Sequence, residues 1–241
     1  MKMKRIILAT LLPLLPAVVL ANAGEAHLQH VQLDLHDQAS LQRGARTFIN
    51  YCSGCHSLGY MRYSRMAKDI GLTDKQVKDN LMFNTTKIGD GIHASMTRAD
   101  GKAWFGKAPP DLSVVSRSRG PDWLYSYLLG FYLDPKRPSG VNNVVFKDVG
   151  MPDVLWKLQG WQRRLEGDEE AGAGELELAR AGKQTPEEYR QTVRDLVNFL
   201  EYVGEPAKLV RYRIGIWAML FLVIFATLAW KLKKEFWRDV H

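Results

Sequence analysis

The chain has 241 residues, a formal charge of +7 and only two cysteines. That length suits one folded domain plus targeting or anchoring segments. Two cysteines exclude both a disulfide framework and a four-cysteine zinc or iron–sulfur site. The basic excess gathers at the two ends, so it is no argument for a nucleic-acid partner, and none is expected.

The N-terminus passes from Lys2, Lys4 and Arg5 through an apolar stretch, Ile6 to Leu20, to Ala21-Asn22-Ala23. These are the charged region, apolar region and small-residue cleavage site of a secretory signal peptide, predicted at residues 1–23. From Asp37, the residues Leu41, Ala45, Phe48, Ile49 and Cys52 recur at helical spacing, with Asp37 or Ser40 as candidate N-cap. This helix feeds Cys52-Ser53-Gly54-Cys55-His56. In a helical conformation Cys52, Cys55 and His56 fall at i, i+3 and i+4 and project from one face. Two thioether bonds to haem vinyl groups and one imidazole on the iron need that arrangement, so the motif predicts one covalently attached haem c. A thioredoxin-like redox pair would leave His56 without a role, and no βαβ pattern flanks it.

Leu72 to Leu81, opening with Thr73-Asp74, predicts a short polar helix, and Phe83 to Gly106 reads as loop with room for a small hairpin. In Ala108-Pro109-Pro110-Asp111-Leu112-Ser113 the two prolines stiffen the chain, and Asp111 or Ser113 is a candidate cap for the run that follows. Such a segment either packs against the haem and orients His56 through a backbone carbonyl or is an ordinary turn before a helix. Trp123 to Tyr132 predicts an aromatic core helix. A sixth iron ligand is required, and methionine opposite histidine raises the reduction potential. Met82, Met96 and His93 are candidates; Met151, in Gly150-Met151-Pro152, has a glycine that allows close backbone approach and a proline that fixes the chain. Spacing alone leaves Met151 balanced between ligand and core filler.

The run from Glu166 to Glu177 is acidic and reads as a solvated loop or as an acidic face for a basic redox partner. Thr185-Pro186-Glu187-Glu188 begins an amphipathic helix with a capping box, stopped at Gly204-Glu205-Pro206. Ile214 to Trp230 then holds no charged residue and is bracketed by basic ones, which predicts a transmembrane helix. With an exported N-terminus, the body lies outside the cytoplasm and the tail inside. The predicted layout is a signal peptide at 1–23, a periplasmic haem domain at 24–206, an anchor at 207–233 and a cytoplasmic tail at 234–241.

Together these landmarks resemble the cytochrome c1 family, the haem subunits of ubiquinol–cytochrome c oxidoreductase (cytochrome bc) complexes. The resemblance is carried by Arg43-Gly44 before Cys52-Ser53-Gly54-Cys55-His56-Ser57-Leu58, then by Met61-Arg62-Tyr63, Ala108-Pro109-Pro110-Asp111-Leu112-Ser113 and Gly150-Met151-Pro152. It continues through Asp195-Leu196-Val197-Asn198-Phe199-Leu200 and Tyr202-Val203-Gly204-Glu205-Pro206 to the C-terminal anchor. It implies a mainly α, cytochrome c-like haem domain with long loop insertions and one C-terminal transmembrane helix. Carried over by residue, it makes Cys52 and Cys55 the haem attachments, His56 the proximal ligand and Met151 the distal one. It also places Pro109 and Pro110 against the haem and Arg119 near a propionate, and Phe48 and Trp123 depart from a pattern that often has tyrosine. The implied role is an electron-transfer subunit with no substrate chemistry of its own. It would sit in a dimeric complex of a bacterial inner membrane, in contact with lipid, with cytochrome b, a Rieske iron–sulfur protein and a cytochrome c acceptor as partners. A free-standing anchored shuttle and an anchored haem peroxidase are the rival readings.

Overall fold

The computed structural model describes residues 28–165 and 176–239. The segment read as a signal peptide and most of the acidic run lie outside the described residues. An extended segment from Leu28 leads to α1 (Gln38–Tyr51), where the Asp37 carboxylate caps the Ser40 N–H at 3.0 Å. Next come β1 (Leu58–Arg62), α2 (Tyr63–Asp69), α3 (Asp74–Asn80), β2 (Gly91–Ile92), α4 (Arg98–Phe105), α5 (Val115–Arg119) and α6 (Pro121–Leu129). The order closes with β3 (Phe131–Leu133), β4 (Val141–Asn143), α7 (Trp156–Gln159), β5 (Gly160–Arg164), β6 (Leu176–Ala181), α8 (Pro186–Gly204) and α9 (Lys208–Phe236). The fold is mainly α, and its described strands form only antiparallel pairs, β1 with β2, β3 with β4 and β5 with β6.

The centre of the domain is the packing of α1 on α8. Leu41, Ala45 and Phe48 of α1 meet Val193, Leu196, Val197 and Phe199 of α8, all 1% exposed or less. The helices approach closely because residue 44 is glycine: a Cβ there would lie 2.1 Å from the Asp195 carbonyl oxygen. Beside this crossing the Asp195 carboxylate, 3% exposed, accepts from the Arg43 guanidinium at 2.6 Å, the Ser40 hydroxyl at 2.7 Å and the Gln191 amide at 2.9 Å. A buried carboxylate is tolerated only with such partners. The lock therefore fixes the rotation of α1, and with it the direction of the motif that α1 delivers.

The capping box predicted at Thr185 forms with Glu188, and the structure adds a second at Thr73, with Gln76 as the reciprocal partner. Other expectations are corrected. The stretch from Phe83 to Gly106 contains β2 and the whole of α4, nucleated by Thr97, whose hydroxyl accepts the Asp100 N–H. Gly101 is the one buried residue of α4, so the helix shows no apolar stripe for periodicity to find. The aromatic helix ends at Leu129 with Gly130 as the expected stop, and Phe131 and Tyr132 beyond it form a strand, pairing with Asn143 and Asn142. Neither Asp111 nor Ser113 caps α5, which has no side-chain cap. Glu177, read as loop, lies in β6 and pairs with Arg163 of β5 at 2.7 Å.

α9 is 29 residues long, about 44 Å at ~1.5 Å per residue, which exceeds a ~30 Å hydrocarbon core. None of its residues is buried, and its most apolar window has a mean hydropathy of 2.0. This is the membrane-spanning helix of the chain. Its first turns are tied back to the domain: Lys208 pairs with Glu201 at 2.9 Å, while Glu205 takes both Arg211 and, at 3.2 Å, Arg117 of α5.

Candidate functional site

The helical hydrogen-bond ladder of α1 runs on through the motif. Cys52 and Ser53 donate N–H groups to the Phe48 carbonyl at 2.8 and 3.0 Å, and Cys55 and His56 donate to the Cys52 carbonyl at 3.0 and 2.8 Å. The three motif side chains therefore keep near-helical spacing, as the one-face argument requires. Both cysteines are half-buried and neither is in a disulfide.

Two neighbouring segments grip the motif from outside. The Ser95 and Met96 N–H groups bond the Ser53 and Gly54 carbonyls at 3.2 and 2.9 Å, and Ala94 N–H reaches the Ser57 hydroxyl at 2.8 Å. On the other flank Leu112 N–H bonds the Ser57 carbonyl at 2.8 Å, and Gly59 and Tyr60 donate to the side chains of Asp111 and Ser113 at 2.8 and 3.1 Å. Asp111 and Ser113 thus serve β1 rather than α5. The same segment aims His56: its Nδ1–H donates to the Pro110 carbonyl at 2.8 Å. Pro109 packs on α4, its Cδ lying where a Cβ on Gly101 would come within 2.6 Å.

This geometry suits a haem. A ring whose Nδ1 carries the proton presents Nε2 as the lone-pair nitrogen for a metal. Burial holds the His56 pKa below its ordinary value, against the opposing pull of the Pro110 bond and the Asp111 charge, a shift in the direction of the neutral form that a metal ligand needs. Two free thiols and one oriented imidazole on a single turn fit the thioether-plus-ligand chemistry of haem c.

The other candidate residues separate by place. His93 lies beside Gly59, where a Cβ would be 3.6 Å from the imidazole Cε1, and so on the β1–β2 flank of the motif itself. Met96 is bonded through its backbone to Gly54, and Met82 is buried in the main core. Met151 belongs to a different wall. It packs with Tyr127 and Trp161 on a small cluster formed by Phe131, Val141 and Val149. The Tyr127 hydroxyl donates to its sulfur at 3.4 Å. The close approach expected at Gly150 is not made to other residues, since a Cβ there would meet no atom within 4 Å.

The loop before Met151 is shaped by two asparagines that carry no motif signal. Asn143, 1% exposed, accepts the N–H groups of Val145 and Phe146 at 2.9 and 3.1 Å and donates to the Tyr127 carbonyl at 2.8 Å. Asn142 accepts the Asp148 N–H at 2.9 Å, holding that residue at φ 61°. After Met151, Asp153 is buried, and burial raises its carboxyl to about 6 although it accepts the Leu155 N–H. Arg119 is exposed and lies 5.1 Å above the Trp123 ring, with no ion pair among the described residues. Trp123 stacks on Tyr127 at 4.9 Å and 8°. Arg119 of α5, Trp123 and Tyr127 of α6, and Met151 therefore follow one another in successive contacts. Phe48 is fully buried against Phe199 in the α1–α8 core.

Comparison with known proteins identifies the family. Residues 29–240 match the model of the Cytochrome C1 family. The chain belongs to the cytochrome c1 family. It is 51% identical to cytochrome c1 of Allochromatium vinosum, covering 99% of this chain and 100% of that protein. It is 43% identical over the full length of both chains to a Nitrosomonas europaea protein named ammonia monooxygenase gamma subunit. Over 85% of its length it is 29% identical to the mitochondrial cytochrome c1 haem protein of Schizosaccharomyces pombe. As a member of this family the chain carries one covalently attached haem c and works in electron transport.

Proposed function

We propose that this chain is the haem-bearing subunit of a quinol–cytochrome c reductase, taking one electron from a Rieske iron–sulfur protein and passing it to a cytochrome c. The observation that carries this is the pairing of an oriented His56 with a separate methionine wall, in a chain with a membrane-spanning helix. Cys52 and Cys55 would hold the haem by thioether bonds, His56 through Nε2 and Met151 through Sδ would be the iron's protein ligands, and the bound haem would supply a reversible one-electron change. Pro110 keeps His56 in its ligand tautomer. Arg119, with no acidic partner among the described residues and braced on Trp123, would offer its guanidinium to a propionate. Two axial protein ligands leave no open position for a peroxide substrate, which separates this reading from a haem peroxidase.

The layout that goes with this is a cleaved signal peptide at 1–23, a periplasmic domain at 24–206, an anchor at 207–233 and a cytoplasmic tail, in a bacterial inner membrane. Cytochrome b would bind the anchor within a dimeric complex. Purification in mild detergent tests it. Co-purification with a cytochrome b and an iron–sulfur protein, and reduction of the haem by quinol only while both are present, is the expected result. Recovery of the chain alone would leave the free-standing shuttle, and recovery with a monooxygenase would overturn the assignment.

A further inference from the structure

Tyr127 lies in a stretch where the sequence shows only an aromatic helix, yet its hydroxyl ends at the sulfur of Met151, 3.4 Å away. No other partner for that hydroxyl occurs among the described residues. The ring has little freedom to turn elsewhere. One face stacks on Trp123 at 4.9 Å, and Phe131 meets it edge-on at 5.2 Å and 70°. Its backbone carbonyl accepts the amide of Asn143, the residue that shapes the loop leading to Met151. One residue thus touches both ends of that loop.

We propose that Tyr127 is a positioning residue for the distal ligand, its hydroxyl orienting the Met151 thioether and raising the midpoint potential of the haem. This rests on the reading of Met151 as that ligand. A thioether sulfur has two lone pairs and accepts hydrogen bonds weakly, so one pair serves a metal while the other takes the phenol proton. A proton donated to the sulfur draws electron density from it. The sulfur then stabilises the oxidised, more electron-demanding iron less than the reduced one, which raises the potential. Hydrogen bonding around a ligand is one of the means by which a protein tunes haem iron. The fixed ring also limits the sulfur to one side of the loop, which selects a single ligand geometry.

Tyr127→Phe in the full-length holoprotein removes the hydroxyl and keeps both ring contacts. The expected result is a lower midpoint potential, by less than Met151→Leu causes, with the methionine-to-ferric-iron charge-transfer band shifted or weakened. In a Met151→Leu background the same change should leave the potential where that variant put it, because the hydroxyl then has no sulfur to act on; a merely structural role would add its effect in both backgrounds. A second measurement needs no variant: exchange of the wild type into D2O should shift the iron–sulfur stretch in the resonance Raman spectrum. An unchanged potential in Tyr127→Phe, or no deuterium shift in the wild type, overturns the proposal. A wild type lacking the methionine charge-transfer band overturns the ligand reading itself, and this proposal with it.

Discussion

The haem-attachment motif and the Met151 segment are held in different ways. On the motif side the contacts run mostly between backbones or to a backbone: Ser95 and Met96 to Ser53 and Gly54, Leu112 to Ser57, and His56 to the Pro110 carbonyl. On the Met151 side they run through side chains, with Asn142, Asn143 and Tyr127 shaping the loop. Backbone bonds survive most substitutions, because every residue but proline carries both groups. Side-chain bonds do not. The half-buried Glu201 and the buried Asp153 repeat the contrast. Glu201, on the helix that braces the motif side, meets the Ser116 hydroxyl and Lys208, while Asp153 beside Met151 meets only backbone N–H groups and is pushed up to about 6. The motif side is therefore built to be rigid and permanent, and the Met151 side is the one on which single residues can adjust the chemistry.

The largest effects should fall on the motif side and be all-or-none. Replacing Cys52 and Cys55 together by Ala should abolish covalent haem, read as complete loss of haem staining on a denaturing gel; retention of the stain would remove both residues from the site. Next is Met151→Leu, which should keep the haem bound and lower the midpoint potential by on the order of 0.1 V, well inside the ~0.8 V range that axial ligands control. A potential unchanged by that variant would return the distal role to Met82 or Met96. Smaller again are two substitutions that separate the two sides. Asp195→Ala strips the Arg43, Ser40 and Gln191 bonds from a buried site and should cost about 2–3 kcal/mol, or a melting temperature about 5–10 °C lower, with the potential little moved. Asn143→Ala should cost about 2 kcal/mol and shift the potential as well, because its partners lead to Met151. Equal potential shifts in the two variants would erase the distinction between the two sides.

That distinction also explains what could be read from the residues alone. The motif, the Thr185 capping box, the α8 stripe and the anchor are local patterns of a few residues with fixed spacing, and each has a physical reason to recur. The tie from Pro110 to His56 was legible as one of two alternatives, since a stiff dipeptide near an imidazole ligand has few other uses. What escaped was non-local or aperiodic. α4 has a cap but no apolar stripe, and β5 and β6 are joined through a run whose composition reads as loop. Asn142 and Asn143 are polar residues buried at 4% and 1%, against the usual tendency, and only their bonds to a distant helix explain it. Tyr127 was visible as one aromatic among several, and nothing in its spacing distinguished a residue that packs from one that donates to a ligand.

The smallest prediction concerns how the motif side is fastened to the membrane anchor. Glu201 on α8 accepts from the Ser116 hydroxyl on α5 and from the Lys208 ammonium at 2.9 Å at the start of α9. Burial alone would push its carboxyl up, but those two partners outweigh burial and hold it below the ordinary carboxylate value. A carboxylate depressed in the folded state stabilises the protein above its unfolded pKa of ~4.3, and that contribution is lost as the pH falls through the folded value. Glu201→Gln should therefore be less stable than the wild type by about 1 kcal/mol at neutral pH, an amount typical of one lost charged partner near a surface. The two proteins should converge as the pH drops below about 4. Thermal unfolding in detergent across that range measures the gap. A gap that stays constant into acid would mean that Glu201 contributes through its shape rather than its charge, and that α5 and α9 are joined by the Arg117–Glu205–Arg211 cluster alone.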